Sequence, residues 1–215
     1  MLRYFILCFC ALAFTACKSN SPEEFTRYYE DGRAKPVIAI APMIDTTSNE
    51  FSWSLADEMQ SLIMNRIAQK GTLFVNRDEN AFIPSSENPF GTDVSWVKRE
   101  FAPNEFVVFL ELVEHESVPT SKTISATDSS SNLNMQIRVR IIDIRSNSPK
   151  IVLQEVIRDS YYITKNTLPT DYNMVTWGTD EYMITPMSQA HSKITKEVVE
   201  RLNDYVLLAK SRWNG

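Results

Sequence analysis

Beginning at Pro36, hydrophobic and polar positions change pattern several times, and each pattern predicts one element. Pro36-Val37-Ile38-Ala39-Ile40-Ala41-Pro42-Met43-Ile44 is apolar on both alternating faces and bounded by prolines, which predicts a short strand buried on both sides. A polar turn over 45–49 follows, with Ser48 or Asn49 placed to cap a helix. Phe51, Leu55, Met59, Leu62, Ile63 and Ile67 then recur at helical spacing, a stripe for packing on one side. Gly71 stands where a left-handed helix cap belongs. Leu73-Phe74-Val75 reads as a second strand and completes a β-α-β unit. Between 76 and 104 no period is sustained, since Pro84, Pro89, Gly91 and Pro103 interrupt it; a short helix is predicted around Ser95 to Phe101.

The second half reads more regularly. Glu105 to Glu116 alternates with Phe106, Val108, Leu110 and Leu112 on one face and Val107, Phe109 and Val113 on the other. Apolar on both faces in its first half, this strand belongs in the middle of a sheet. Leu133 to Ile141 alternates apolar and polar residues without a fault, which predicts one wet face, and the phase slips at Ile141-Ile142, where a bulge fits. Ser146 to Pro149 turns the chain into a further strand, Ile151 to Ile163. Thr185-Pro186 opens a last helix with a capping threonine and a proline at its first position, and Ala190, Ile194, Val198, Leu202, Tyr205 and Ala209 make its apolar stripe. The expected fold is α/β (α+β-like): a mixed β-sheet with amphipathic helices packed on it, in a single domain over 36–215.

The N-terminus carries a different pattern. Arg3 precedes the unbroken apolar stretch Phe5 to Phe14, and Thr15-Ala16-Cys17 follows. That is the layout of a secretory signal, and the stretch is about half the length needed to span a bilayer. Phe14-Thr15-Ala16-Cys17 resembles the bacterial lipobox, with Phe14 in place of the usual leucine. The resemblance implies a signal peptide over 1–16, lipid attachment at Cys17, and a tether over 17–35. The alternative is an ordinary signal peptide that leaves a free thiol. Lys18 rather than Asp after the cysteine favours the outer over the inner membrane in the sorting scheme of such proteins. In the tether, Phe25, Tyr28 and Tyr29 are the sizeable apolar groups; a solvated arm is expected, with docking on the domain as the alternative. Of three cysteines, Cys8 and Cys10 lie in the segment to be removed, so Cys17 would have no partner for an internal disulfide. Two or more acyl chains on Cys17 would suffice for stable anchoring.

Charge and residue types exclude several activities. A formal net charge of −5 with no basic run argues against nucleic acid as a partner. Five glycines supply no phosphate-binding loop, and no zinc-protease, paired-cysteine or nucleophile-elbow motif is present. Two histidines are available. His115 lies near a strand end between Glu114 and Glu116, where neighbours point to opposite faces, and is read as solvated. His191, next to Ala190 at the edge of the last helix's stripe, is read as a partly buried structural residue. Asp57-Glu58 is expected on the exposed face of the first helix, and Asp180-Glu181 in a loop. No catalytic residue, metal site or cofactor is expected. Two segments read instead as recognition material: the Ser/Thr-rich loop over 119–132, and 166–185, which holds Tyr172, Met174, Trp177, Tyr182 and Met183. Trp177, Tyr182 and Tyr172 are the candidate partner-binding residues. The competing reading has Trp177 and Tyr182 closing the core against the last helix.

The order of elements resembles a superfamily of bacterial envelope lipoproteins that includes the curli-secretion lipoprotein and the lipoprotein activators of penicillin-binding proteins. The resemblance rests on Lys35 to Met43, the helix after it, and Phe74-Val75-Asn76-Arg77. Ala102 to Val108 stands where that group enters its central strand, although Pro103 and Asn104 depart from its pattern. It implies a non-catalytic module, anchored through Cys17 on the periplasmic side of the envelope, that binds another envelope protein. An oligomeric secretion-type structural protein is the alternative, and a hydrolase a more distant one. A separate lipoprotein family confined to one bacterial lineage would also carry these features.

Overall fold

A proline without an N–H at position 42 shapes the start of the domain. In the computed structural model, which describes residues 26–76, 82–120, 130–164 and 170–212, β1 (Val37–Ile40) and β2 (Ile44–Asp45) lie along the same edge of β4 (Phe106–Pro119). Ile40 pairs with Val108 and Ile44 with Glu111, so four residues on one strand span three on the other. The excess is taken up around Pro42, and the amide of Met43 leaves the sheet to donate to Gln60 Oε1 at 2.7 Å. Both pairings are parallel, as is that of β1 with β3 (Phe74–Val75). The helix between β1 and β3, α1 (Leu55–Lys70), makes the expected β-α-β unit. Gly71 caps it at φ 65, as its position predicts. Its N-cap is Ser54, later than expected, so Phe51 precedes the helix and the buried stripe begins at Leu55.

β4, β5 (Ser131–Asp143) and β6 (Lys150–Ile163) form an antiparallel meander, and the sheet order is β3-β1-β4-β5-β6 with β2 beside β4. The expected bulge lies between Ile141 and Ile142. Three further helices are α2 (Val97–Phe101), α3 (Asp180–Met183) and α4 (Pro186–Ser211). Among the described residues this is one mixed α+β domain of six strands and four helices, the expected class. Asp180 and Glu181 are in α3 rather than in a loop, because Thr179 caps a short turn there.

The sheet has two apolar faces. On one, α1 and α4 pack over Ile38, Phe106, Val108, Leu110, Met135, Ile137 and Val139. On the other, Trp96, Val97 and Phe101 cover Ala39, Val107, Phe109 and Ile142. That second cover comes from the segment without a periodic pattern, and it corrects the expectation of one wet face on β5 at Arg140 and Ile142, while Asn132, Asn134, Gln136 and Arg138 of the same face stay half-exposed. Arg140 is buried beneath the segment, where its guanidinium donates to the carbonyls of Pro89 (2.8 Å), Phe90 (2.8 Å) and Gly91 (2.6 Å) and to Gln154 Oε1 (2.7 Å). A fully charged, forked donor is the side chain suited to three successive carbonyls.

Residues 26–35 are not a free arm. The chain turns at Gly32, Tyr28 bridges Ala34, and the Tyr29 hydroxyl donates to the Thr72 carbonyl at 2.7 Å. Docking, the alternative reading for Tyr29, is the arrangement observed. Residues 1–25, with Cys17 and the expected signal peptide, lie outside the described residues, as do 121–129 and 166–169 of the two expected recognition segments.

Candidate functional site

One residue inserted into β4 rearranges the helix-facing side of the sheet. Leu112 pairs with Ile137, but the next ladder pair is Glu114 with Gln136, so Val113 is the extra residue of a bulge. Without it, alternation from Leu112 would turn Glu114 inward and His115 outward. With it, His115 pairs with Met135 on the side covered by α1 and α4. His115 is therefore buried rather than solvated, and it points at α4.

There it meets the other histidine. His115 Nε2 and His191 Nε2 stand 2.9 Å apart, and His191 Nδ1 lies 2.7 Å from Glu58 Oε1. The two residues expected to serve separately, one of them in solvent, form a single chain with a carboxylate of α1. Glu58 is 1%, His191 0% and His115 6% exposed. The expectation that Glu58 sits on an exposed helix face fails because this side chain turns into the gap between α1 and α4, where donors await it. The Tyr182 hydroxyl donates to Oε1 at 2.7 Å and the Trp53 indole N–H to Oε2 at 2.8 Å. A buried carboxylate with three donors is satisfied; one without them would be expensive.

The electrostatics follow from this geometry. Burial alone would raise the Glu58 carboxyl, but the hydrogen bond and charge of His191, with the Tyr182 and Trp53 bonds, hold it below the usual range. Burial and the neighbouring His191 push His115 down to about 4. Burial and the Glu58 charge push the Tyr182 phenol up, so it keeps its proton. Since His191 Nδ1 must carry hydrogen to bond the carboxylate, one proton is left to fit between the two Nε2 atoms.

The arrangement can hold one proton between two rings. Two imidazole nitrogens on one zinc ion would stand roughly 3.3 Å apart, wider than this contact. Among the described residues no group of three or more His, Cys, Asp or Glu is placed to hold a metal ion. The Tyr182 hydroxyl, which touches the cluster, is committed to Glu58.

Above the cluster lies a wall of rings. Phe51 stacks edge-on against His115 (centroids 5.8 Å apart) and Tyr172 (6.0 Å), and it packs on Trp53 at 5.1 Å; Trp53 in turn meets Tyr182 edge-on at 5.5 Å. Tyr182, a candidate partner-binding residue, is thus inside the fold, and Tyr172 is a half-buried member of the wall. Trp177 stands at the surface. With Leu62, Met183, Gln189 and Ser192 it lines a cleft of about 360 Å³ whose floor is Tyr182 and Glu58. Met174, Met183 and Ile184 of the same segment are 80%, 69% and 77% exposed. Trp53 and the pairing of the two histidines carry no mark in the sequence, and Glu58 reads there only as an exposed helix acid; a glutamate three residues after Leu55 and next to Met59, in the middle of the buried stripe, is the one signal present.

Several solved structures are similar to this chain, and the first of them shares its fold. The hypothetical protein CT253 from Chlamydia trachomatis is 23% identical, with a TM-score of 0.67 over 80% of this chain and 98% of that one. XCC0632 from Xanthomonas campestris is 8% identical with a TM-score of 0.49, covering 83% and 89% of the two chains. The lipoprotein GNA1162 from Neisseria meningitidis is 10% identical with a TM-score of 0.39, covering 79% and 99%. No curated protein matches the sequence. The model of a family of unknown function, DUF7499, matches residues 24–210, and the chain belongs to that family.

Proposed function

We propose that this chain is a lipid-tethered module of the bacterial envelope that docks another envelope protein, and that it performs no catalysis. The observation that carries the reading is the surface of 174–184. Three large apolar side chains stand in solvent there, and Met183 shares a cleft with Trp177 whose floor is rigidly held from below. Exposed Met and aromatic residues around a concavity are the composition of an interface core. Trp177 is the member of the original candidate trio that keeps a surface role, with Tyr172 and Tyr182 positioning the segment behind it. The anchor belongs to the same proposal: Cys17 acylated, the domain on the periplasmic side, and the outer membrane as its address. Among the described residues no helix is long and apolar enough to cross a membrane.

Two measurements test the two halves. A fatty-acid label fed to cells is expected to mark the wild type and leave Cys17→Ala unmarked; equal labelling would remove the anchor. A photo-reactive phenylalanine placed at Met183 is expected to give a discrete cross-link to another envelope protein in intact cells, and one placed at Glu200 none. A Met183 cross-link only between copies of this chain would turn the reading towards the oligomeric alternative.

A further inference from the structure

The histidine pair lies where it can control that surface. One proton fits in the 2.9 Å gap between His115 Nε2 and His191 Nε2. Charging both rings puts a hydrogen on each Nε2, so two N–H groups point at each other, each on a positive ring, and hydrogen-bond geometry allows no such contact. His191 is held by Glu58, so His115 is the ring free to leave. Phe51 lies edge-on against His115, and Phe51 packs on Trp53 and Tyr172. The half-buried Tyr172 and the Tyr182–Glu58 hydrogen bond tie segment 170–185 to the domain.

We propose that the His115–His191 contact is an acid-operated latch: charging His115 beside a charged His191 expels His115, displaces Phe51, and releases segment 170–185 from α1 and α4. The functional consequence rests on the docking role proposed for Trp177 and Met183; the latch itself does not.

The groups facing the latch set its direction. From α1 comes Glu58, which favours a proton on the rings; from α4, His191, which opposes a second charge; from β2, Asp45, which favours it weakly. Tyr182 comes from α3 and keeps its own proton, while Met135 opposite His115 on β5 is apolar. Glu114 and Glu116 of β4 itself alternate to the other face, and the Asn49 amide donates to the His115 carbonyl at 3.2 Å. Burial and the His191 charge outweigh the carboxylates, so His115 takes its charge near pH 4, well below the 6.5 of an ordinary histidine. The latch is shut at neutral pH and opens on strong acidification.

Hydrogen exchange read peptide by peptide on the full chain in detergent tests this without any partner, so its result stands apart from the docking reading. Corrected for intrinsic rates, exchange over 170–185 is expected to speed about tenfold or more between about pH 6.5 and about pH 4, with β4 and β5 still protected. His115→Gln, whose amide can donate to His191 Nε2 but cannot titrate, is expected to abolish the rise. His115→Phe provides a second non-titrating ring. The imidazole resonances of the wild type give a direct check, since His115 must titrate in the same range as the opening. Unchanged protection of 170–185 at acid pH would overturn the proposal. So would opening that persists in the variants, or titration of His115 near 6.5 with no opening.

Discussion

Replacing Glu58 with alanine is expected to destabilise the domain by about 4 kcal/mol, seen as a lowered midpoint in urea with an unchanged slope. The loss is not that of one contact. Removing the carboxylate leaves three buried donors without an acceptor: the Tyr182 hydroxyl, the Trp53 indole and His191 Nδ1. Each stranded group costs about 1–3 kcal/mol, less whatever water can enter from the cleft. For a domain of this size each kcal/mol lowers Tm by about 2–4 °C, so the shift should be on the order of 10 °C. Adding Tyr182→Phe removes one of the stranded donors, and the double variant is expected to lose less than the two single losses together. The pH dependence has a definite sign. Glu58 is held below its unfolded value, so its contribution is present above the ordinary glutamate range and vanishes as pH falls through the folded value. His115 works in the same direction. Between 6.5 and about 4 the unfolded chain takes up a proton that the folded one refuses, and stability falls with falling pH across that window. Glu58→Ala should lose the Glu58 share of the acid slope and keep that of the other depressed carboxyls, such as Asp143 beside Arg145. A loss under about 1 kcal/mol, or strict additivity with Tyr182→Phe, would mean that the carboxylate does not organise the cluster.

The fold was legible where hydrophobic period and cap chemistry agreed. β1, the end of α1 with Gly71, the three long strands and α4 with Thr185-Pro186 all lie where the sequence puts them, because each is specified locally. The site was not legible, and the reasons are physical. Alternation along Glu105 to Glu116 is read by counting, and a bulge at Val113 leaves no mark in composition while exchanging the faces of Glu114 and His115. A glutamate on a helix is assigned to solvent by its charge; Glu58 is inside because Trp53, Tyr182 and His191 supply donors from three other parts of the chain. No local pattern announces a partner 133 positions away. Tyr182 and Trp177 show the same limit on a smaller scale. Five residues apart in an aromatic segment, one closes the core and the other flanks a cleft at the surface. The sequence left both readings open for the pair, and the structure divides them.

Arg140 offers the opposite case, a residue whose alternation was read correctly and whose environment was not. It does point away from α1 and α4, yet segment 83–101 lies over it and takes its hydrogen bonds. Arg140→Ala is expected to cost about 3 kcal/mol, because the carbonyls of Pro89, Phe90 and Gly91 lose their donor in a site with little water. Arg140→Lys should recover only a minor part. A single ammonium cannot match a fork spread over three carbonyls and Gln154, nor stack over the Phe90 ring as the guanidinium does at 5.5 Å. The damage should be local. Trp96 and Phe101 pack on Phe109 beneath that cover, at 5.7 and 5.6 Å, so loosening it exposes the smaller of the two cores and leaves the larger one intact. Hydrogen exchange should therefore rise over 83–101 in Arg140→Ala while 170–185 keeps its protection at neutral pH. In Glu58→Ala the pattern should reverse. Because the two sites share no hydrogen-bonding partner, their stability losses should add within about 0.5 kcal/mol. Protection lost over both segments in either variant would show that the two faces of the sheet open as one unit, and the separate roles assigned to Arg140 and Glu58 would fall together.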